Sequence, residues 1–360
     1  MDNNYNDNPF EPKREYDFYD EIAVRDARRA VSKTALGLLL FTAVSLVALM
    51  LIYVILNAIL GKDNFIALVD SPYFYLPMGT FFMYGVGLPL LWICIKGLPV
   101  RRTGYKNTIK PIELVLIVPV AQFAMNLGAN IGLYFDEIAS FLFGVTTSNP
   151  VDDMVSGVPI WLTLLVTVVV GPVVEEFIFR KLLMDRLSVH GNVFAIVLTS
   201  ILFGLFHGNF YQMFYAAALG FVLGYVTVKS GSWLYAAALH MFINFFNGAL
   251  PEILGAQIED FFVAFEAYIM GDAATFTENL GAFMVGGSFI ILQSVLSLIG
   301  AVIFIYALVK KHIHVNNAPE CAIPKGRMAK VIFSGGMIAF LVWIAFEVLL
   351  EYVPLLAIIL

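Results

Sequence analysis

The chain has 360 residues, of which 60% are hydrophobic and 13% charged, and its mean hydropathy is +0.84. Soluble globular proteins carry about 25% charge, so composition excludes that class and points to a protein embedded in membrane lipids. The net charge of −6 does not suggest nucleic acid, and two cysteines, Cys94 in an apolar run and Cys321 in a basic loop, make no disulfide framework.

Taken in chain order, residues 1–33 are polar and charged. The apolar run behind them is read as a retained span, and the tail as a cytoplasmic segment, flexible or partly helical; it is no cleavable signal peptide. Hydropathy then predicts an all-α, polytopic transmembrane helix bundle of about nine spans, near 34–60, 73–95, 112–135, 158–183, 192–208, 211–228, 232–249, 284–309 and 330–349. With the amino end cytoplasmic, every Lys and Arg except Lys62 falls on the inner side. The opposite loops are acidic, from Asp136 and Glu137 to Glu278, which satisfies the positive-inside rule. In the outer segment 251–278, Ile258, Phe261, Phe262, Phe265 and Ile269 recur at near-helical spacing, predicting an amphipathic helix on the outer leaflet. Gly220 and Gly224 form a GxxxG in the sixth span, read as close helix packing. His190, His312 and His314 are read as solvated loop residues, and Asp185 and Arg186 as an ordinary helix exit.

Within the spans, strongly polar residues cluster: Glu175, Glu176 and Arg180 in the fourth, His207 in the fifth, His240 and Asn244 in the seventh. A carboxylate at a helix centre costs roughly 2.5–3.5 kcal/mol even on lenient insertion scales, so such residues must face a bundle interior or a hydrated cavity. Glu176 and Arg180 are four apart and can pair on one face, while Glu175 is rotated by about 100° toward another neighbour. Phe203 with His207, and His240 with Asn244, repeat the four-residue spacing. A carboxylate, two imidazoles and an amide are the ingredients of water activation and oxyanion stabilisation. Glu175, helped by His207, would take a proton from water, and His240 and Asn244 would donate to the oxyanion. Equally, His207 and His240 with Glu175 or Glu176 would make a zinc site, or one for another divalent metal, with an open position. The blander readings are a structural Glu–Arg bridge, packed histidines, an asparagine that glues helices, or a transporter's proton relay. One difficulty is depth, because residue counting puts His207 further from the cytoplasmic ends than His240.

EEFIFR (Glu175–Arg180), FGLFH (Phe203–His207) and HMFIN (His240–Asn244) match EExxxR, FxxxH and HxxxN in order and spacing. Over about 158–250 the sequence resembles the CPBP family of intramembrane proteases, also called Abi or CAAX-protease-and-bacteriocin-processing proteins. The resemblance implies peptide-bond hydrolysis in the membrane, with Glu175 as general base beside His207, His240 and Asn244 as oxyanion hole, and Glu176 and Arg180 in support. It implies a peptide or a prenylated or otherwise lipidated protein as substrate. With the spans above, the expected organisation is a 1–33 cytoplasmic tail, three accessory helices over 34–135, a 158–309 catalytic bundle with the outer amphipathic segment at about 251–278, and 330–360 as the last helix with an outer carboxyl end. The first three spans and the last are too generic to carry the resemblance. Bacterial relatives are linked to bacteriocin maturation or self-immunity, so a non-catalytic immunity or scaffold protein is the alternative, and a bacterial plasma membrane the expected location. Lys181 departs from the pattern, since a small residue often follows the motif arginine.

Overall fold

The computed structural model describes residues 15–101, 109–155, 157–315 and 321–353. Lys13, Arg14, Arg102 and Lys106 of the charge pattern lie outside them, as does the carboxyl end from 354 onward. The described residues form a helical bundle without strands. Its main helices are α1 (Glu15–Leu60), α2 (Pro72–Ile95), α3 (Pro111–Phe143), α4 (Ile160–His190), α5 (Asn192–Leu205), α6 (Phe210–Ser230), α7 (Trp233–Asn244), α8 (Ala256–Met270), α9 (Leu280–Val309) and α10 (Gly335–Tyr352). Among the described residues seven helices are long and apolar enough to cross a membrane: α1 to α4, α6, α9 and α10. The other two expected spans are helices of a different kind. α5 has 14 residues. α7 has 12 and runs on through a π-helical turn, Phe245–Ala249.

α1 is one helix of 46 residues, so the expected tail is helical from Glu15. Its amino-terminal part buries Ala23, Val24, Ala27, Ala30, Val31 and Ala35, spaced by one, three and four. Arg25, Arg28 and Arg29 stay on the exposed face. That period of small apolar residues is the physical reason the helix continues past the membrane: it has α10 to pack on. Gly336 at the start of α10 donates its N–H to Ser32 Oγ at 2.9 Å.

Small residues set the tightest contacts, as expected where lipid removes the hydrophobic drive between helices. Gly128 lets α3 approach α6 so closely that a methyl there would lie 2.6 Å from the Phe214 carbonyl oxygen. The GxxxG of α6 does pack closely, against α5. A methyl on Gly220 would lie 3.0 Å from Ser200 Cα and 3.4 Å from Arg180 Nη2. α8 is a helix as predicted, seated on α9 through Phe261 against Gly286 and Gly287, with Phe262, Phe265 and Ile269 exposed.

Three loop expectations are corrected. His190 is buried, its Nδ1 3.0 Å from the Cys321 carbonyl oxygen, because the loop before α10 folds back over the end of α4. Asp185 and Arg186 are buried too: Asp185 pairs with Lys181 at 2.7 Å, and Arg186 donates to the Ile95 and Leu182 carbonyls over the Trp92 ring. Here the chain leaving α2 is stitched to α4, so the charges serve orphan carbonyls at helix ends. Asp136, expected in an outer loop, lies inside the longer α3, where it accepts from Thr147 Oγ1 at 2.8 Å and from the Tyr352 hydroxyl.

Candidate active site

α4 is interrupted where the sequence reads VVVGPVVEE. Its π-helical stretches Leu164–Val170 and Phe177–Leu183 flank Gly171–Glu176. The Gly171 N–H bonds the Val166 carbonyl, five residues back. In that register the Thr167 carbonyl faces Pro172, which has no N–H to give. Asn244 Nδ2 donates to it at 2.9 Å instead. A break in α4 is thus what recruits the last residue of the third motif, and π-bulges of this kind often mark functional sites.

Both glutamates approach His240, from opposite ring nitrogens, but Glu176 alone pairs with Arg180 and Glu175 alone meets Tyr84. Glu176 is fully buried, accepting from Arg180 Nε at 3.0 Å through Oε2, with His240 Nδ1 3.1 Å from Oε1. Arg180, equally buried, donates through Nη1 to Thr199 Oγ1 at 3.0 Å and lies 5.6 Å from the Phe203 ring centroid. Glu175 keeps slight exposure, and its Oε2 stands 3.9 Å from His240 Nε2. That gap is too long for a direct hydrogen bond and short enough for a water bonded to both groups.

His207 follows α5 in the turn Phe206–Asn209. Its Nδ1 lies 2.8 Å from the Phe203 carbonyl oxygen. A carbonyl only accepts, so Nδ1 carries the hydrogen and Nε2 presents its lone pair. Asn209 locks the turn, donating to the His207 carbonyl and accepting from the Gln212 N–H, both at 2.8 Å. α5 is about 21 Å long at 1.5 Å per residue, and Phe203 in its last turn brings the two imidazoles to one wall. Phe203 is the common wall, its ring centroid 5.1 Å from that of His207 and 5.7 Å from that of His240.

The structure therefore links Glu175, Glu176, Arg180, Phe203 and His240 in one chain of contacts, with His207 packed on Phe203 and Asn244 held on the Thr167 carbonyl of the same α4. Missed in the sequence were Tyr84, whose hydroxyl lies 3.5 Å from Glu175 Oε1, Thr199 under Arg180, and an amide network in the membrane. In that network Gln122 Nε2 donates to Asn126 and Asn247 at 3.2 and 3.0 Å, and Gln293 Nε2 to Asn247 at 3.3 Å. Glu347 was missed too. Its Oε2 lies against Gly208, 3.0 Å from where a Cβ would stand. The apolar run AFEVLLEY holds that carboxylate and Glu351, and the cost argument that singled out Glu175 applies to both.

His207 and His240 each have Nδ1 on a protein oxygen, which leaves Nε2 as the ligand atom either could offer a metal. Among the described residues, however, no group of three His, Cys, Asp or Glu is arranged to hold a metal ion.

The fold and site define an integral membrane protein, all helical, with a buried carboxylate–imidazole–amide centre. Residues 157–246 match the family model described as Rce1-like, type II CAAX prenyl endopeptidase Rce1-like. This is the relationship the three motifs indicate, and it supports a CAAX-type intramembrane protease in general. No curated protein and no solved structure matches the chain.

Proposed function

We propose that the protein is an intramembrane endopeptidase that cleaves a lipidated or membrane-embedded peptide with water activated at Glu175 and His207. The observation that carries this reading is the 3.9 Å gap between Glu175 Oε2 and His240 Nε2, opening beside a histidine whose Nε2 lone pair is free. A water there gives one hydrogen to Glu175 Oε2 and the other to His207 Nε2, and its oxygen accepts from His240 Nε2 when that nitrogen is protonated. Glu175 takes the proton as the water oxygen attacks the scissile carbonyl carbon, and the carbonyl oxygen becomes the oxyanion. Asn244 has one amide hydrogen on Thr167 and the second to offer that oxyanion, and His240 offers an Nε2–H when that nitrogen is protonated. As the C–N bond breaks, the proton held by Glu175 passes to the leaving amine; the new carboxylic acid then gives up its remaining water hydrogen through His207 Nε2, so the products are a carboxylate, an amine and one released proton.

Glu176 and Arg180 act as support. Arg180 neutralises Glu176 where no water reaches, and Glu176 in turn fixes the His240 ring, so Nε2 is aimed at the gap. The family match points to a prenylated or lipidated peptide as the substrate class. The test is cleavage of a farnesylated CaaX peptide by purified protein, with Glu175→Ala and His207→Ala beside it. Both variants should lose activity while remaining folded. Unchanged cleavage by both would overturn the assigned chemistry.

A further inference from the structure

The described environment of Glu175 includes a residue outside the 157–246 match. Tyr84 sits on α2, in the π-helical stretch Phe81–Val86, and its hydroxyl lies 3.5 Å from Glu175 Oε1. A phenol has one hydrogen to give and a carboxylate can only accept, so the direction of the contact is settled by chemistry. The other oxygen of the same carboxylate, Oε2, is the one turned to His240 Nε2. Tyr84 therefore touches the oxygen that faces away from the proposed water.

The surroundings hold that contact in place. The Tyr84 ring meets Phe41 of α1 edge to face at 6.3 Å, and Phe41 is wholly buried. Gly87, three residues on, gives Phe41 its room: a methyl there would come within 2.7 Å of the ring. On the α4 side Gly171 borders the pair, since a methyl there would be in ordinary contact with both, 3.8 Å from the Tyr84 oxygen and 3.9 Å from Glu175 Oε1. At 3.5 Å the contact is longer than a closed O–H···O bond, as catalytic contacts without substrate commonly are.

We propose that Tyr84 is a positioning residue for the hydrolysis: its hydroxyl holds Glu175 Oε1 and so presents Oε2 to the water, making α2 part of the active site. The inference rests on the proposed role of Glu175. It gives the accessory helices a chemical task beyond packing, because they supply the group that orients the base.

The test is Tyr84→Phe in the full-length protein, assayed on the farnesylated peptide beside Glu175→Gln. Phenylalanine keeps the ring against Phe41 and removes only the hydroxyl. Losing one hydrogen bond to a charged group should lower kcat about tenfold. KM and the thermal unfolding midpoint in detergent should stay at wild-type values. A merely structural hydroxyl would instead lower the midpoint and leave kcat per folded molecule unchanged, which would overturn the proposal. Wild-type kcat in Tyr84→Phe with an inactive Glu175→Gln would also overturn it, leaving the function of Glu175 standing. A fully active Glu175→Gln would remove the hydrolytic reading itself, and this inference with it.

Discussion

His240 Nδ1 stands 3.1 Å from Glu176 Oε1, so a residue of the first motif fixes the ring of the third across two helices. Adjacent glutamates thereby acquire opposite mutational signatures. Glu176→Ala removes the partner of a fully buried Arg180 and leaves that charge uncompensated. The expected cost is about 3–5 kcal/mol of stability. It should appear as a lower unfolding midpoint and poor recovery of folded protein from membranes.

Glu175→Gln should behave in the other way. The side chain keeps its shape and slight exposure, and no buried cation depends on it. Stability should change little, whereas removal of a general base lowers kcat by about 10²–10⁴-fold. Circular dichroism melting together with single-turnover cleavage separates the two glutamates. Equal loss of activity with equal loss of stability in both would contradict the division of labour.

Metal dependence supplies a third expectation. Since the donors as placed do not form a three-ligand set, cleavage should persist after prolonged chelation and should not rise on adding zinc. Loss of activity with chelator, recovered with zinc, would show that His207 and His240 rearrange into ligands and would overturn the metal-free scheme.

What the sequence made legible, and what it hid, follows from how each residue is recognised. Glu175, Glu176, Arg180, His207, His240 and Asn244 stood out because charge or imidazole in an apolar run is costly. Their four-residue spacing then sorted faces correctly. Tyr84 and Thr199 carry a polar tip on a residue common in spans, so no local signal separated them from packing groups. How far the helix runs back into the tail was hidden because hydropathy scores greasiness and not period, and Ala23, Ala27 and Ala30 are small. His190 and Arg186 looked solvated because their partners are backbone carbonyls far along the chain, at Cys321 and Ile95.

The close approach of α5 and α6 at Gly220 gives a fourth expectation. Gly220→Val would drive a branched side chain toward Ser200 Cα and Arg180 Nη2. Overpacking of this kind costs about 1–3 kcal/mol, and here the displaced atom belongs to the Arg180 support. Both midpoint and kcat should fall, whereas valine at Gly248, which has open space around it, should leave both near wild type.

Asn244 and Asn247 lie three residues apart, and their partners assign them different work. Asn244 gives one hydrogen to the Thr167 carbonyl of α4, whereas Asn247 accepts from Gln122 and Gln293 and ties α3 and α9 to the end of α7. Asn247→Leu should therefore lower stability by about 1–2 kcal/mol, the range for interhelical polar contacts in membranes, with kcat per folded molecule unchanged. Asn244→Leu should lower kcat by about 10²–10³-fold, the effect of removing one oxyanion donor. The contrast is measured by unfolding in detergent and by cleavage normalised to folded protein. If Asn247→Leu abolished turnover without changing the midpoint, the amide network would belong to the chemistry and not to the scaffold.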